Sequence, residues 1–239
     1  MEFQFYQAAL IGGGLLNLMM ALVLIGNSYA YSGFDTYRHS RLLTGLALAV
    51  FGVGFLLHYA FQWRTFWPAA ATALSATYFH LGGMLLSWSH TSLLDAHYLT
   101  RRIVIRDIAI LLFAITGYWL TAAASHLSPL IPTLVAPYLV NAQLFFGIFF
   151  LHITWLVYVF YRTYYRVSRR QSDEHTPTVV AFVRWMLRSC HLIILFGVGS
   201  ILLTVLVPTA VWPYTVLLCV GMAVFIYIFY SLTEYGSKI

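Results

Sequence analysis

YFHLGGMLLSWSHTSLLDAHYLTRRIVIRD, residues 78–107, starts inside one hydrophobic run, passes through a short polar turn and enters a second run at Arg106 and Asp107. It holds His80, His90 and His97 out of nine histidines, Asp95 and Asp107 out of seven acids, and Arg101, Arg102 and Arg106 out of thirteen basic residues. A chain that crosses a bilayer, turns at a polar face and crosses back has this pattern.

The rest of the chain agrees. Of its 239 residues 61% are hydrophobic and 8% charged, and the mean hydropathy is +0.81. A soluble domain carries about 25% charged residues, so the surface of this chain must meet lipid. The net charge of +6 then belongs to loop placement, and no nucleic-acid partner is expected. Cys190 and Cys219 lie in separate apolar segments without the spacing of a disulfide or zinc framework. The first apolar run is too long for a signal peptide and is expected to be retained.

A transmembrane helix needs about 20 mainly apolar residues. Segments at roughly 8–30, 42–63, 67–88, 104–124, 135–160, 179–207 and 210–232 qualify. The expected fold class is therefore all-α integral membrane, a single domain over residues 1–239 with seven transmembrane helices. Pro68, Pro137 and Pro213 fall near segment starts, and Trp63, Trp67, Trp88 and Trp212 near segment ends, as helix entry and interfacial anchoring require. Glycine clusters such as Gly12-Gly13-Gly14, Gly45 with Gly52, and Gly82-Gly83 suit close helix contacts.

Arg38, Arg41, Arg101, Arg102, Arg106, Arg162, Arg166, Arg169, Arg170, Arg184, Arg188 and Lys238 all fall on one side of these segments, and Arg64 alone falls on the other. The positive-inside rule then predicts an outside N-terminus and a cytoplasmic C-terminus. The longest loop, RTYYRVSRRQSDEHTP at 162–177, reads as a basic cytoplasmic loop that meets anionic lipid.

Ionisable groups within spans mark candidate sites. Entering from Pro68, His80 lies roughly 18 Å deep; entering from Pro137, His152 lies roughly 22 Å deep. His191 sits just above the inner boundary, so the three are expected at a similar level, while His58 lies near the outer boundary. Neutral histidines bonded to Ser, Thr or backbone groups explain them. The alternatives are a proton-sensitive or ligand-contact role, or metal or haem ligation. No carboxylate shares their helices, so no cofactor is predicted. Asn141 and Gln143, near His58 in depth, could line an outward cavity for a small amphipathic ligand with Tyr118 and Trp119. Interhelical hydrogen bonding is the alternative for these residues. Asp107 is expected to pair with Arg184 or Arg188 as a cytoplasmic latch or staple. His90, Asp95 and His97 are expected to be wet turn residues.

A retinal protein would need a lysine in the last helix, and Lys238 lies beyond it. The stretches Leu99-Thr100-Arg101 and Ile226-Tyr227-Ile228-Phe229-Tyr230 stand where animal seven-helix receptors carry their acid–Arg–aromatic triplet and NPxxY run. The run TYFHLGGMLLSWSHTSLLD, the YLTRR that follows and the ending IYIFYSLTEYG resemble the seven-span N-terminal sensory regions of bacterial membrane-bound regulators and histidine kinases of the Bacteroidetes type. The resemblance implies a bacterial inner-membrane sensor whose signal passes to an output module or a separate cytoplasmic signalling protein. The reading that follows is a non-enzymatic sensor or receptor-like module. A histidine-ligated metal or haem oxidoreductase is the alternative, and a small transporter is disfavoured because no segment is broken mid-membrane.

Overall fold

The structure is a computed structural model that describes the backbone of residues 2–95, 97–127, 135–171, 177–206 and 211–237, and side chains within 2–95, 97–125, 144–169, 185–200, 203 and 211–237. Among the described residues the fold is all-α. Helix α1 (Glu2–Gly26) runs into a 3-10 turn at Asn27–Tyr31, followed by α2 (Asp35–Phe61), the short α3 (Trp63–Phe66) and α4 (Pro68–Leu94). Then come α5 (Arg101–Leu127), α6 (Val135–Gln171), α7 (Pro177–Leu206) and α8 (Trp212–Gly236). Each apolar segment found in the sequence is helical over most of its described residues.

Among the described residues five helical stretches are long and apolar enough to cross a membrane: Glu2–Tyr31, Asp35–Phe61, Arg101–Ser125, Leu144–Arg169 and Trp212–Gly236. A shorter apolar stretch, Trp185–Ser200, belongs to α7. The most exposed side chains include Leu22 at 72%, Leu151 at 74% and Leu195 at 72%. Mid-helix leucines turned outward are what a lipid-facing surface presents, and the fold is a multi-span helical membrane bundle.

Helix α4, although 27 residues long, is not among those five stretches, and its position explains why. It packs against α2, α3, α5, α6 and α7 and buries Ser75, His80, Ser89, His90, Thr91 and Ser92. A helix surrounded by protein can carry polar groups that lipid would penalise. Ser89 Oγ ties α4 to α2, lying 2.7 Å from Ser40 Oγ and 2.7 Å from Thr44 Oγ1.

At the other flank α1 and α2 meet backbone to backbone. A Cβ on Gly52 would stand 2.9 Å from the Gly14 carbonyl oxygen, and one on Gly14 would stand 3.2 Å from that of Gly52. Any larger residue would wedge the pair apart. Gln62, at φ 50°, ends α2 in the left-handed conformation, turning the chain into α3. There Arg64 is buried at 5% exposure. The Arg64 guanidinium lies 3.4 Å from the Tyr214 ring centroid, and its Nε donates to Tyr6 Oη at 3.3 Å. Arg64 thus clasps the starts of α1 and α8 to the corner.

Two expectations need correction. The region after Arg162 continues as helix through Gln171, because RTYYRVSRRQ contains no glycine or proline to stop it. His90 is not a wet turn residue: α4 runs on to Leu94, and His90 is buried at 3% exposure. Its Nδ1 bonds the Leu86 carbonyl at 2.8 Å and its Nε2 meets Ser189 Oγ of α7 at 2.9 Å. Asp95 and His97 do form the turn, with His97 N–H donating to Asp95 Oδ1 at 3.0 Å.

Candidate functional site: a buried polar chain across three helices

Asp107 lies in the second turn of α5 and is completely buried. A carboxylate in that position requires donors on both oxygens, and the sequence supplies them from three helices. Arg106, its neighbour, donates Nε to Oδ1 at 2.8 Å and brings Nη2 to 2.7 Å. Trp88 of α4 donates its indole N–H to Oδ2 at 3.0 Å. His152 of α6 brings Nε2 to 3.5 Å from Oδ1, within ion-pair range but long for a hydrogen bond.

The other face of His152 continues the chain. Its Nδ1 lies 2.8 Å from His80 Nε2, and His80 Nδ1 lies 3.1 Å from Tyr118 Oη. Tyr118 returns to α5, eleven residues and roughly 16 Å of helix beyond Asp107. The polar chain therefore runs alongside α5, with α4 and α6 each contributing one imidazole.

A carboxylate only accepts, and for uncharged rings a carboxylate facing His152 Nε2 favours one proton arrangement. Asp107 Oδ1 faces the N–H on His152 Nε2. His152 Nδ1 then accepts from His80 Nε2–H, and His80 Nδ1 accepts from the Tyr118 hydroxyl. Every donor points toward Asp107. The loose link is the 3.5 Å step, where buried His152 Nε2 has no hydrogen-bond partner. Such an arrangement can hold, pass or release a proton, and here its last step is open.

The candidate histidines separate into distinct settings. His80 and His152 meet each other. His191 lies elsewhere, with Nε2 2.9 Å from Tyr161 Oη. His58 Nε2 meets Ser75 Oγ at 2.9 Å near the α3 corner. The expected three-histidine level thus resolves into a pair and a separate residue. Two nitrogens sharing one tetrahedral ion at about 2.0–2.1 Å each stand about 3.3 Å apart. The 2.8 Å contact between the rings has the length of a shared proton instead. Among the described residues no group of three or more His, Cys, Asp or Glu side chains is placed to hold a metal ion.

Two of the residues expected around an outward cavity near His58 make hydrogen bonds to the neighbouring helix α4. Tyr118 bonds His80, and Trp119 donates Nε1–H to Thr77 Oγ1 at 3.2 Å. The side chains of Asn141 and Gln143 lie outside the described residues. The Asp107 latch is also recast. Arg184 has its side chain outside the described residues and Arg188 is exposed, while Arg106 occupies the carboxylate from the adjoining position. Sequence reasoning placed Asp107 at the boundary and the histidines deeper, and so took them to be without an acid. The signal that could have joined them was register: on α4, Trp88 lies eight residues after His80, on the same helical face.

A second feature adjoins the chain. A cavity of about 190 Å³ lies between α4, α6 and α7, walled in part by Phe79, Phe149 and Phe196. Phe149 separates it from His80, packing edge-on against that ring with centroids 5.0 Å apart and planes at 84°.

No family model, curated protein or solved structure matches this chain.

Proposed function

We propose that the chain is a non-enzymatic, single-domain, seven-helix sensor or receptor-like module of a bacterial inner membrane. Its N-terminus lies outside, its C-terminus lies in the cytoplasm, and its signal passes to a cytoplasmic partner or output module. The observation that carries this reading is the Arg106–Asp107–His152–His80–Tyr118 chain. Its polar groups are spent on one another across α4, α5 and α6 rather than converging on an open reaction centre. A small shift of α6 would close the open step, and an element with two arrangements is what a signal biases.

Two measurements test the reading. A Ser172→Cys probe should resist impermeant labelling from outside, and a Glu2→Cys probe should react; the reverse pattern overturns the orientation. Spin labels at Arg166→Cys and Ser237→Cys report the distance between the ends of α6 and α8. The sensor reading requires that Asp107→Asn shift this distance distribution. An identical distribution with and without Asp107→Asn sinks it.

A further inference from the structure

We propose that the cavity between α4, α6 and α7 is a binding site for a small, neutral, ring-bearing apolar molecule that enters sideways from the bilayer. The size of the cavity is the first argument. At about 190 Å³ it exceeds the roughly 150 Å³ of an apolar cavity that stays dry and accepts benzene. Its chemistry is the second. No Asp, Glu, Lys or Arg lines it, and seven of its lining residues are phenylalanines. Aromatic walls favour a flat ring through edge and offset contacts beyond simple area burial.

The polar groups on the wall limit what the occupant can carry. Both nitrogens of His90 are engaged, by the Leu86 carbonyl and by Ser189. Ser87 Oγ reaches the Leu156 carbonyl at 3.5 Å, a long contact that an occupant's oxygen can replace. One hydroxyl or carbonyl is therefore accommodated, and a charge is not.

Access is from the side. Phe150 at 40% and Val198 at 43% exposure flank the opening on α6 and α7, on the apolar outer surface. Gly197 is on the α7 wall, and a Cβ there would meet nothing within 4 Å, so a larger side chain has room at that place.

Position links the cavity to the polar chain, and this part rests on the sensor reading. Phe149 is a cavity wall that bears directly on His80. Phe196, on another wall, packs edge-on against Phe225 of α8 with centroids 5.4 Å apart, over the space left by Gly221. An occupant thus touches residues that support both the His80–His152 pair and the last helix.

The test uses the full chain in lipid nanodiscs with a trifluoromethyl phenyl diazirine as photoprobe. Adducts should concentrate on peptides carrying Phe149, Thr154 and Phe196, and excess toluene should displace them whereas hexane should not. Gly197→Phe should abolish the toluene-displaceable adducts and leave labelling of the lipid-facing Leu22 region unchanged. If Gly197→Phe melts early, Thr154→Phe fills the cavity from the opposite wall and carries the same expectation. Labelling that is undisplaced by toluene, equally displaced by hexane, or retained in a folded filling variant overturns the site and leaves only an acyl chain there. Histidine nitrogen signals read the sensor link separately. Displaceable labelling with unmoved His80 and His152 signals keeps the site and removes its connection to the sensor reading.

Discussion

His152 Nε2 stands 3.5 Å from Asp107 Oδ1 while its other nitrogen is held at 2.8 Å by His80. The ring is thus fixed on the side facing α4 and slack on the side facing α5. A movement of a few tenths of an ångström in α6 would close the step into a hydrogen bond. Closing it would redistribute an anion already shared with Arg106 and Trp88.

The first prediction concerns that anion. Asp107→Asn should lower thermal stability in detergent by about 1–3 kcal/mol, because donors arranged for a buried carboxylate lose their charged acceptor. Arg106→Gln should be non-additive with it by about 0.5 kcal/mol or more. Arg188→Gln, on an exposed residue of α7, should be additive. Melting curves of the single and double variants decide. Additivity with Arg106 would remove the ion pair from the account.

The proton arrangement is open to direct reading. With Asp107 as the terminal acceptor, both His80 and His152 should carry their proton on Nε2, as nitrogen NMR of histidine-labelled protein reports. Tyr118→Phe should leave the tautomer of His152 unchanged and shift only His80 Nδ1. A proton on Nδ1 of His152 would reverse the direction of the chain.

Helix contact predicts a third result. Gly52→Leu should destabilise by about 1–3 kcal/mol through overpacking, since the Gly14 carbonyl occupies the space its Cβ needs. Gly12→Leu, whose Cβ meets nothing within 4 Å, serves as the control and should leave the melting temperature nearly unchanged. Equal effects would place the α1–α2 crossing elsewhere.

At the α3 corner, Arg64→Lys should fail to restore what Arg64→Gln removes. A planar guanidinium can lie flat over the Tyr214 ring and still donate to Tyr6, and an ammonium cannot do both. The expected loss is about 0.5–2 kcal/mol for either variant. Full rescue by lysine would show that only the charge matters.

The sequence was a good guide to what lipid decides and a poor one to what protein decides. Long apolar runs announced the helices, because each must satisfy its own backbone in a medium without water. Hydropathy said little about which face of α4 would be enclosed, and the polar residues that lower its apolarity are the ones that identify it as central. Depth counting brought His80 and His152 to one level, but it could not turn His191 away, since facing depends on how α7 is rotated. The Asp107 contact was hidden for a related reason. Its partners Trp88 and His152 lie 19 and 45 positions away in the chain, and only the packing of α4 and α6 on α5 brings them together.

Helix α6 spans 37 residues, roughly 55 Å of rod, against a hydrocarbon layer of about 30 Å. Near Tyr161 it is pinned to α7 by the 2.9 Å bond to His191. Taken as a pivot, that bond divides the helix into two arms. On one arm sits His152, and on the other lie Arg166 and Arg169. A tilt that brings the His152 ring a fraction of an ångström closer to Asp107 swings the arginine-bearing end by a comparable distance in the opposite sense. Mechanical leverage of this kind would turn a proton-scale displacement in the middle of the bundle into a shift of positive charge at its edge.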